Sequence, residues 1–318
     1  MMEWSDKHCR YFWRQLSRNA VLYTEMVTSG AIIHGQGGAE RFLSYNEQEH
    51  PIALQLGGSN PDELAQCAKT AEAFGYDEVN LNVGCPSDRV QNNMIGACLM
   101  GHPQLVADCI KAMQDATIVP VTIKHRIGID DQDSYQELVD FVGAVANTGC
   151  KTFIIHARKA ILQGLSPKEN REIPPLKYDV VHSIKRDFPE LEIILNGGLS
   201  DIPTMQEQLN HLDGVMVGRE AYHNPGLLLG VDAAFYQATP QYDNLAHRKQ
   251  VIRNLYPYIE QVLQDGGKLN YVTRHLLGLF NGLPGARKFR RHLSENAYSQ
   301  LAGIDVLEHA LTLIPDEL

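Results

Sequence analysis

Seven short apolar runs recur along this chain, and nearly every one ends in a polar or glycine-rich tag. The tags are Gln55, Asn82 to Ser87, Lys124 to Arg126, His156 to Arg158, Asn196 to Gly198, and Gly218 with Arg219. Chemistry-bearing residues at the carboxyl ends of successive buried strands are the mark of a (β/α)8 barrel, whose active residues gather on that one face. The runs themselves, Val21–Glu25, Ile52–Leu56, Glu78–Asn82, Val121–His125, Thr152–His156, Glu192–Asn196 and Gly214–Val217, are apolar and β-branched enough to be buried on both faces.

Helical spacing fills the gaps, for instance at Pro61–Phe74, Pro103–Gln114, Ser134–Thr148 and Asp201–Leu209. Strand alternating with helix requires parallel pairing. Seven strands do not close such a barrel, and the first element, Asp6 to Leu16, reads as a helix. The expectation is therefore an α/β chain, a (β/α)8 TIM barrel with its first strand truncated, followed by a small C-terminal helical bundle. Past Pro225 the strand rhythm stops: helical spacing covers 245–263, 269–280, 286–301 and 304–313, broken at Gly266-Gly267 and at 282–285. Residues 1–235 are expected to form the catalytic barrel and 236–318 the helical domain.

At 318 residues, with 44% hydrophobic and 21% charged, the composition is that of an ordinary globular protein. No apolar stretch approaches a membrane span and no signal peptide is visible, so a cytoplasmic location is expected. The six cysteines form no CxxC pair, which disfavours zinc and iron–sulfur sites, and no metal is expected. A formal charge of −10 argues against a polyanionic partner until its distribution is considered. From Lys268 to His292 there are six Lys or Arg and no Asp or Glu.

Each tag has an ordinary reading beside a chemical one. Asn196-Gly-Gly198 and Gly218-Arg219 end the last two strands, where barrels build phosphate sites from backbone N–H groups; the ordinary reading is turn glycines. Lys124, inside an apolar strand, is costly to bury unless an anion meets it, whereas His156 alone would more often be a hydrogen-bonded core histidine. Cys85 sits in a Gly-Pro loop beyond a strand end, open to a nucleophile's role or a proton donor's. Cys67, Cys109 and Cys150 read as small core residues. The excursion 160–176, carrying Lys168 and Arg171, is either functional or a solvated loop.

Taken together, Gln55, Asn82-Val-Gly-Cys-Pro-Ser87, Thr122-Ile-Lys-His-Arg126, Ile155-His-Ala-Arg158, Gly164-Leu-Ser-Pro-Lys-Glu-Asn-Arg171, Asn196-Gly-Gly198 and Gly218-Arg219 resemble the tRNA-dihydrouridine synthases. The long 164–171 loop and Cys9-Arg-Tyr-Phe12 resemble the subfamily acting on D-loop uridines around position 20. The resemblance implies an FMN-bound barrel, NADPH as reductant and a helical domain that holds the tRNA substrate; no obligate protein partner is evident in the sequence. It implies that Gln55, Lys124 and His156 contact the flavin ring and ribityl region, and that Asn196, Gly197, Gly198, Gly218 and Arg219 hold its phosphate. Cys85 would be the general acid, with Asn82, Lys168, Arg171, Arg287 and Arg290 on the RNA. It also implies a first strand ending in Ala-Pro ahead of Met1, which this sequence does not contain. The rival readings are an FMN barrel acting on a free pyrimidine such as dihydroorotate, which leaves the basic helices unexplained, and a non-catalytic RNA-binding barrel.

Overall fold

The computed structural model describes residues 1–87, 93–241 and 243–317. Seven strands lie in one parallel sheet in strict sequential order: β1 (Leu22–Thr28), β2 (Ile52–Gly57), β3 (Glu78–Val83), β4 (Val121–Arg126), β5 (Thr152–His156), β6 (Glu192–Asn196) and β7 (Gly214–Met216). The sheet is TIM-barrel-like. Six of the strands fall within a residue or two of their expected ends. The departure is β1, which continues through Met26, Val27 and Thr28 because these apolar and β-branched residues keep pairing with β2 past a register irregularity between Tyr23 and Met26.

The crossover helices start where the sequence caps them. Asn60 accepts hydrogen bonds from Asp62 N and Glu63 N ahead of Pro61–Ala73, Ser134 and Glu137 form a capping box on Tyr135–Ala146, and Asp201 caps Ile202–Gln208. Leu64, Cys67, Ala68 and Ala71 of the first of these helices, and Val106, Ile110 and Met113 of Pro103–Ala116, lie fully enclosed in the core. Burial pushes the thiols of Cys67, Cys109 and Cys150 up to about 12, as core cysteines require.

The chain divides into two compact units. The first holds Met1, Val21–Tyr45 and His50–Val217, and so the whole sheet. The second joins Met2–Ala20 and Asn46–Glu49 to Gly218–Leu318. Its helices are shorter than their spacing predicts. Expected helix 245–263 divides into Leu245–Arg253 and Tyr256–Gln264, since Pro257 brings no N–H to continue the ladder. Expected helix 269–280 stops at Thr273, and at Gly278 the backbone passes so close to the His223 carbonyl that a Cβ would lie 2.4 Å from its oxygen. The helix expected over 286–301 is observed as Ala286–Asn296. Among the described residues, no helix is long and apolar enough to cross a membrane.

Within the second unit the N-terminal segment is held by buried charges. Arg10 Nε donates to Glu49 at 2.6 Å, with both side chains almost fully buried. Asp232, 3% exposed, accepts from the Ser17 hydroxyl at 2.5 Å and from the backbone N–H groups of Arg18 at 2.6 Å and Asn19 at 3.3 Å. Removing this carboxylate strands three donors. Asp232→Ala should therefore lower stability by about 1–3 kcal/mol in urea unfolding.

Candidate active site

Parallel pairing sets residues of matching register side by side, so the carboxyl ends of the strands present their side chains in tiers. Gln55, Asn80 and Thr122 are partners across β2, β3 and β4. Two residues further on, Asn82 is the partner of Lys124; two further again, Arg126 is the partner of His156, and His156 of Asn196. Alternation along a strand puts all of these on one face, opposite fully buried Val79, Leu81 and Val83.

Just beyond β3, the Asn82 side chain folds the Cys85 loop back on itself. Its Oδ1 accepts from Gly84 N at 3.0 Å and Cys85 N at 2.9 Å, while its Nδ2 donates to Gln55 Oε1 at 2.8 Å. On the return side Ala97 N donates to the Cys85 carbonyl at 2.8 Å, and Gly96 adopts φ +85°, where any Cβ would stand 2.4 Å from that same oxygen. The Cys85 thiol is left half-buried. Asn82, expected on the RNA, is thus also the residue that shapes the cysteine loop.

Arg126 is the residue that the strand-end pattern underrated. Its Nε donates to Gly84 O at 2.8 Å, and its Nη1 to Lys159 O and Asn170 O at 3.1 Å each. Two loops meet on one guanidinium, the second through two of its carbonyls. Burial, with Arg171 and Arg158 nearby, lowers its pKa to about 10. Asn170, fully buried, closes the 160–176 excursion by accepting from Ile161 N at 2.7 Å and donating to Ile161 O at 2.8 Å. The only sequence signal for either residue was membership in a tagged motif.

Lys124 forms no hydrogen bond or ion pair among the described residues. Burial pulls its pKa down to about 8, Arg126 lowers it further, and Cys85 lies near enough to act the other way. Its neighbour His125 points to the opposite face, against Phe141 and Phe153, where burial lowers it to about 4. After β6 the backbone turns through Gly197 at φ +113° and Gly198 at φ +71°. A Cβ on Gly197 would lie 2.5 Å from His156 Cδ2, so the glycine is required by close approach as well as by conformation. Asn196 Nδ2 donates to Met216 O at 2.8 Å, fixing the turn to β7.

The first unit thus gathers Gln55, Asn82, Cys85, Lys124, His156, Asn196, Gly197 and Gly198 at one end of its sheet, with Arg171 close to Arg126 and Lys168 exposed on the same excursion. A cavity of about 220 Å³ beside Ile127 and Phe141 is lined by none of these residues. Gly218, Arg219, Arg287 and Arg290 belong to the second unit. There Gly218 precedes the short helix Arg219–His223, Arg287 is exposed on Ala286–Asn296, and Arg290 donates to Asn281 Oδ1 at 2.6 Å. Ala286, Phe289 and Leu293 bury the opposite face of that helix, which leaves Arg287, Lys288 and Arg291 to solvent.

The half-buried Lys124 amine has no acidic partner among the described residues, and desolvation disfavours its charge. Its pKa is about 8 when folded and 10.5 in the open chain, so the full penalty is present below pH 8. Between pH 8 and 10.5 the unfolded chain binds more protons, and stability should rise with pH. Lys124→Met should stabilise the ligand-free protein by about 2 kcal/mol at pH 7 and flatten that rise in thermal melts taken across the window.

The dihydrouridine synthase (Dus) family model matches residues 1–314. The chain is 62% identical over 318 residues to the tRNA-dihydrouridine(20/20a) synthase of Escherichia coli strain K12, covering 100% of this chain and 90% of that protein. It is 58% identical over 319 residues to the enzyme of the same name from Vibrio vulnificus strain CMCP6, covering 100% and 96%. With the family model spanning nearly its whole length, this chain belongs to the dihydrouridine synthase family.

Proposed function

We propose that this protein reduces uridine to 5,6-dihydrouridine at positions 20 and 20a of the tRNA D-loop, with FMN as its prosthetic group and NADPH as reductant. The observation that carries this reading is the Cys85 loop standing beside Lys124 at the carboxyl end of the sheet, in a chain matching the family over residues 1–314.

The residues fit an anionic flavin. Lys124 offers a half-buried cation that no described side chain neutralises, and a lysine is suited to the negative charge a reduced isoalloxazine carries near N1. The Gly197-Gly198 turn, where a side chain could not be accommodated, suits close approach of backbone N–H groups to a phosphate. Gln55, His156 and Asn196 stand on the same face. FMN, when bound, supplies the hydride for C6 of the uracil ring.

The protein's own part is to present the base and deliver a proton. Cys85 donates its thiol proton to C5, a role that calls for a thiol, not a thiolate. A base inside folded tRNA must leave its stack before it can reach Cys85, at a cost of roughly a few kcal/mol. Cations supply the offsetting attraction: Arg171 near Arg126 and Arg158, Lys168 on the exposed side of its loop, and the Arg287–Arg291 face of the second unit. A cytoplasmic location follows from this substrate.

Three measurements test the reading. Mapping dihydrouridine in tRNA from cells lacking this protein should show loss at 20 and 20a, restored by the wild type but not by Cys85→Ala. Purified Cys85→Ala should stay yellow while uridine reduction falls about 10²–10⁴-fold; full activity would refute the acid assignment. Arg287→Ala combined with Arg290→Ala should weaken tRNA binding and lower the salt slope by about one unit per lost phosphate contact. Flavin reduction by NADPH should be unchanged in that variant.

A further inference from the structure

Barrel interiors are ordinarily filled by Val, Ile and Leu, yet here a run of polar side chains crosses the sheet beneath the cysteine loop. Tyr23 Oη and Thr122 Oγ1 both donate to Glu78 Oε1, at 2.6 and 2.5 Å. Thr122 in turn accepts from Asn80 Nδ2 at 2.8 Å, and Asn80 Oδ1 accepts from Gln55 Nε2 at 2.9 Å. Gln55 Oε1 accepts from Asn82 Nδ2 at 2.8 Å, and Asn82 Oδ1 accepts from the N–H groups of Gly84 and Cys85. Asn80 is fully buried and Thr122 is 3% exposed.

Every bond in this chain runs the same way, and both ends enforce the direction. Backbone N–H groups at the top can only donate, so Asn82 must turn its oxygen to the loop. A carboxylate at the bottom can only accept, so Thr122 must donate downward and receive from Asn80. Burial raises the Glu78 pKa while the hydrogen bonds from Thr122 and Tyr23 hold its charged form. Glu78 and Asn82 lie about 13 Å apart along β3, outside reach of each other but joined through two neighbouring strands.

We infer that Glu78, Thr122 and Asn80 are positioning residues: their one-way hydrogen-bond chain fixes the Gln55 and Asn82 amides and so sets where the Cys85 thiol stands. The inference rests on the reading of Cys85 as proton donor for its effect on turnover, but not for its effect on the loop. Thr122→Val keeps the shape and removes the relay, because the valine can neither accept from Asn80 nor donate to Glu78. Thr122→Ser keeps the relay and loses a methyl group. Glu78→Gln retains a carbonyl oxygen able to accept from both Thr122 and Tyr23, while Glu78→Leu does not.

The test uses the flavin-loaded enzyme and two readouts: steady-state kinetics on tRNA, and the alkylation rate of Cys85 by iodoacetamide followed by mass spectrometry at that residue. Thr122→Val and Glu78→Leu should lower kcat about tenfold with KM for tRNA within twofold of wild type, and should change the Cys85 alkylation rate at least threefold. Thr122→Ser and Glu78→Gln should match the wild type in both. Wild-type kcat and alkylation in either disrupting variant would overturn the inference, and should Thr122→Val fail to fold, Glu78→Leu still decides. A changed alkylation rate with unchanged kcat would sustain the positioning of the loop and refute the proton-donor reading instead.

Discussion

A single buried guanidinium holds the candidate site in one piece. Arg126, at the last position of β4, donates to one carbonyl of the cysteine loop and to two of the long loop after β5. Each of these segments is irregular and could not order itself by backbone pairing alone. Gathering both of them on one fork is a task for arginine, whose planar donors reach several acceptors without losing charge. The cost of burial is visible in its lowered pKa, and it falls where the chemistry needs rigidity.

Charge is handled differently two residues away. Lys124 carries the same sign but meets no such set of carbonyls, so its desolvation remains uncompensated within the described residues. The two cations therefore differ: one is satisfied by the protein and gives shape, the other has no hydrogen-bond or ion-pair partner among the described residues. The glycine turn after β6 follows the same economy, since it keeps the backbone bare at the point where His156 already crowds it.

Much of this was legible from the residues in order. β-branched runs bounded by Gly, Pro and Asn gave the strands β2 to β6 to within a residue, and the polar tags pointed to the end of the sheet where Gln55, Cys85, Lys124 and His156 are found together. What stayed hidden depends on distant partners. Arg126 and Asn170 look like any motif residue until their carbonyl partners are known. Glu78 and Thr122 carried no role of their own in the sequence, because only the register of β3 against β4 reveals that they touch. The grouping of Met2–Ala20 with the C-terminal helices rests on contacts more than 200 residues apart, such as Ser17 with Asp232, which no local pattern announces. In the second unit, helical spacing ran through Pro257 and Gly278, where backbone constraints outrank side-chain periodicity.

The return of Ala97 N to the Cys85 carbonyl, with Gly96 pressed against the same oxygen, has a consequence for how such enzymes can diverge. Main-chain atoms alone make this anchor, so exchange of side chains around Cys85 leaves it intact, and Gly96 is the position that tolerates no substitute.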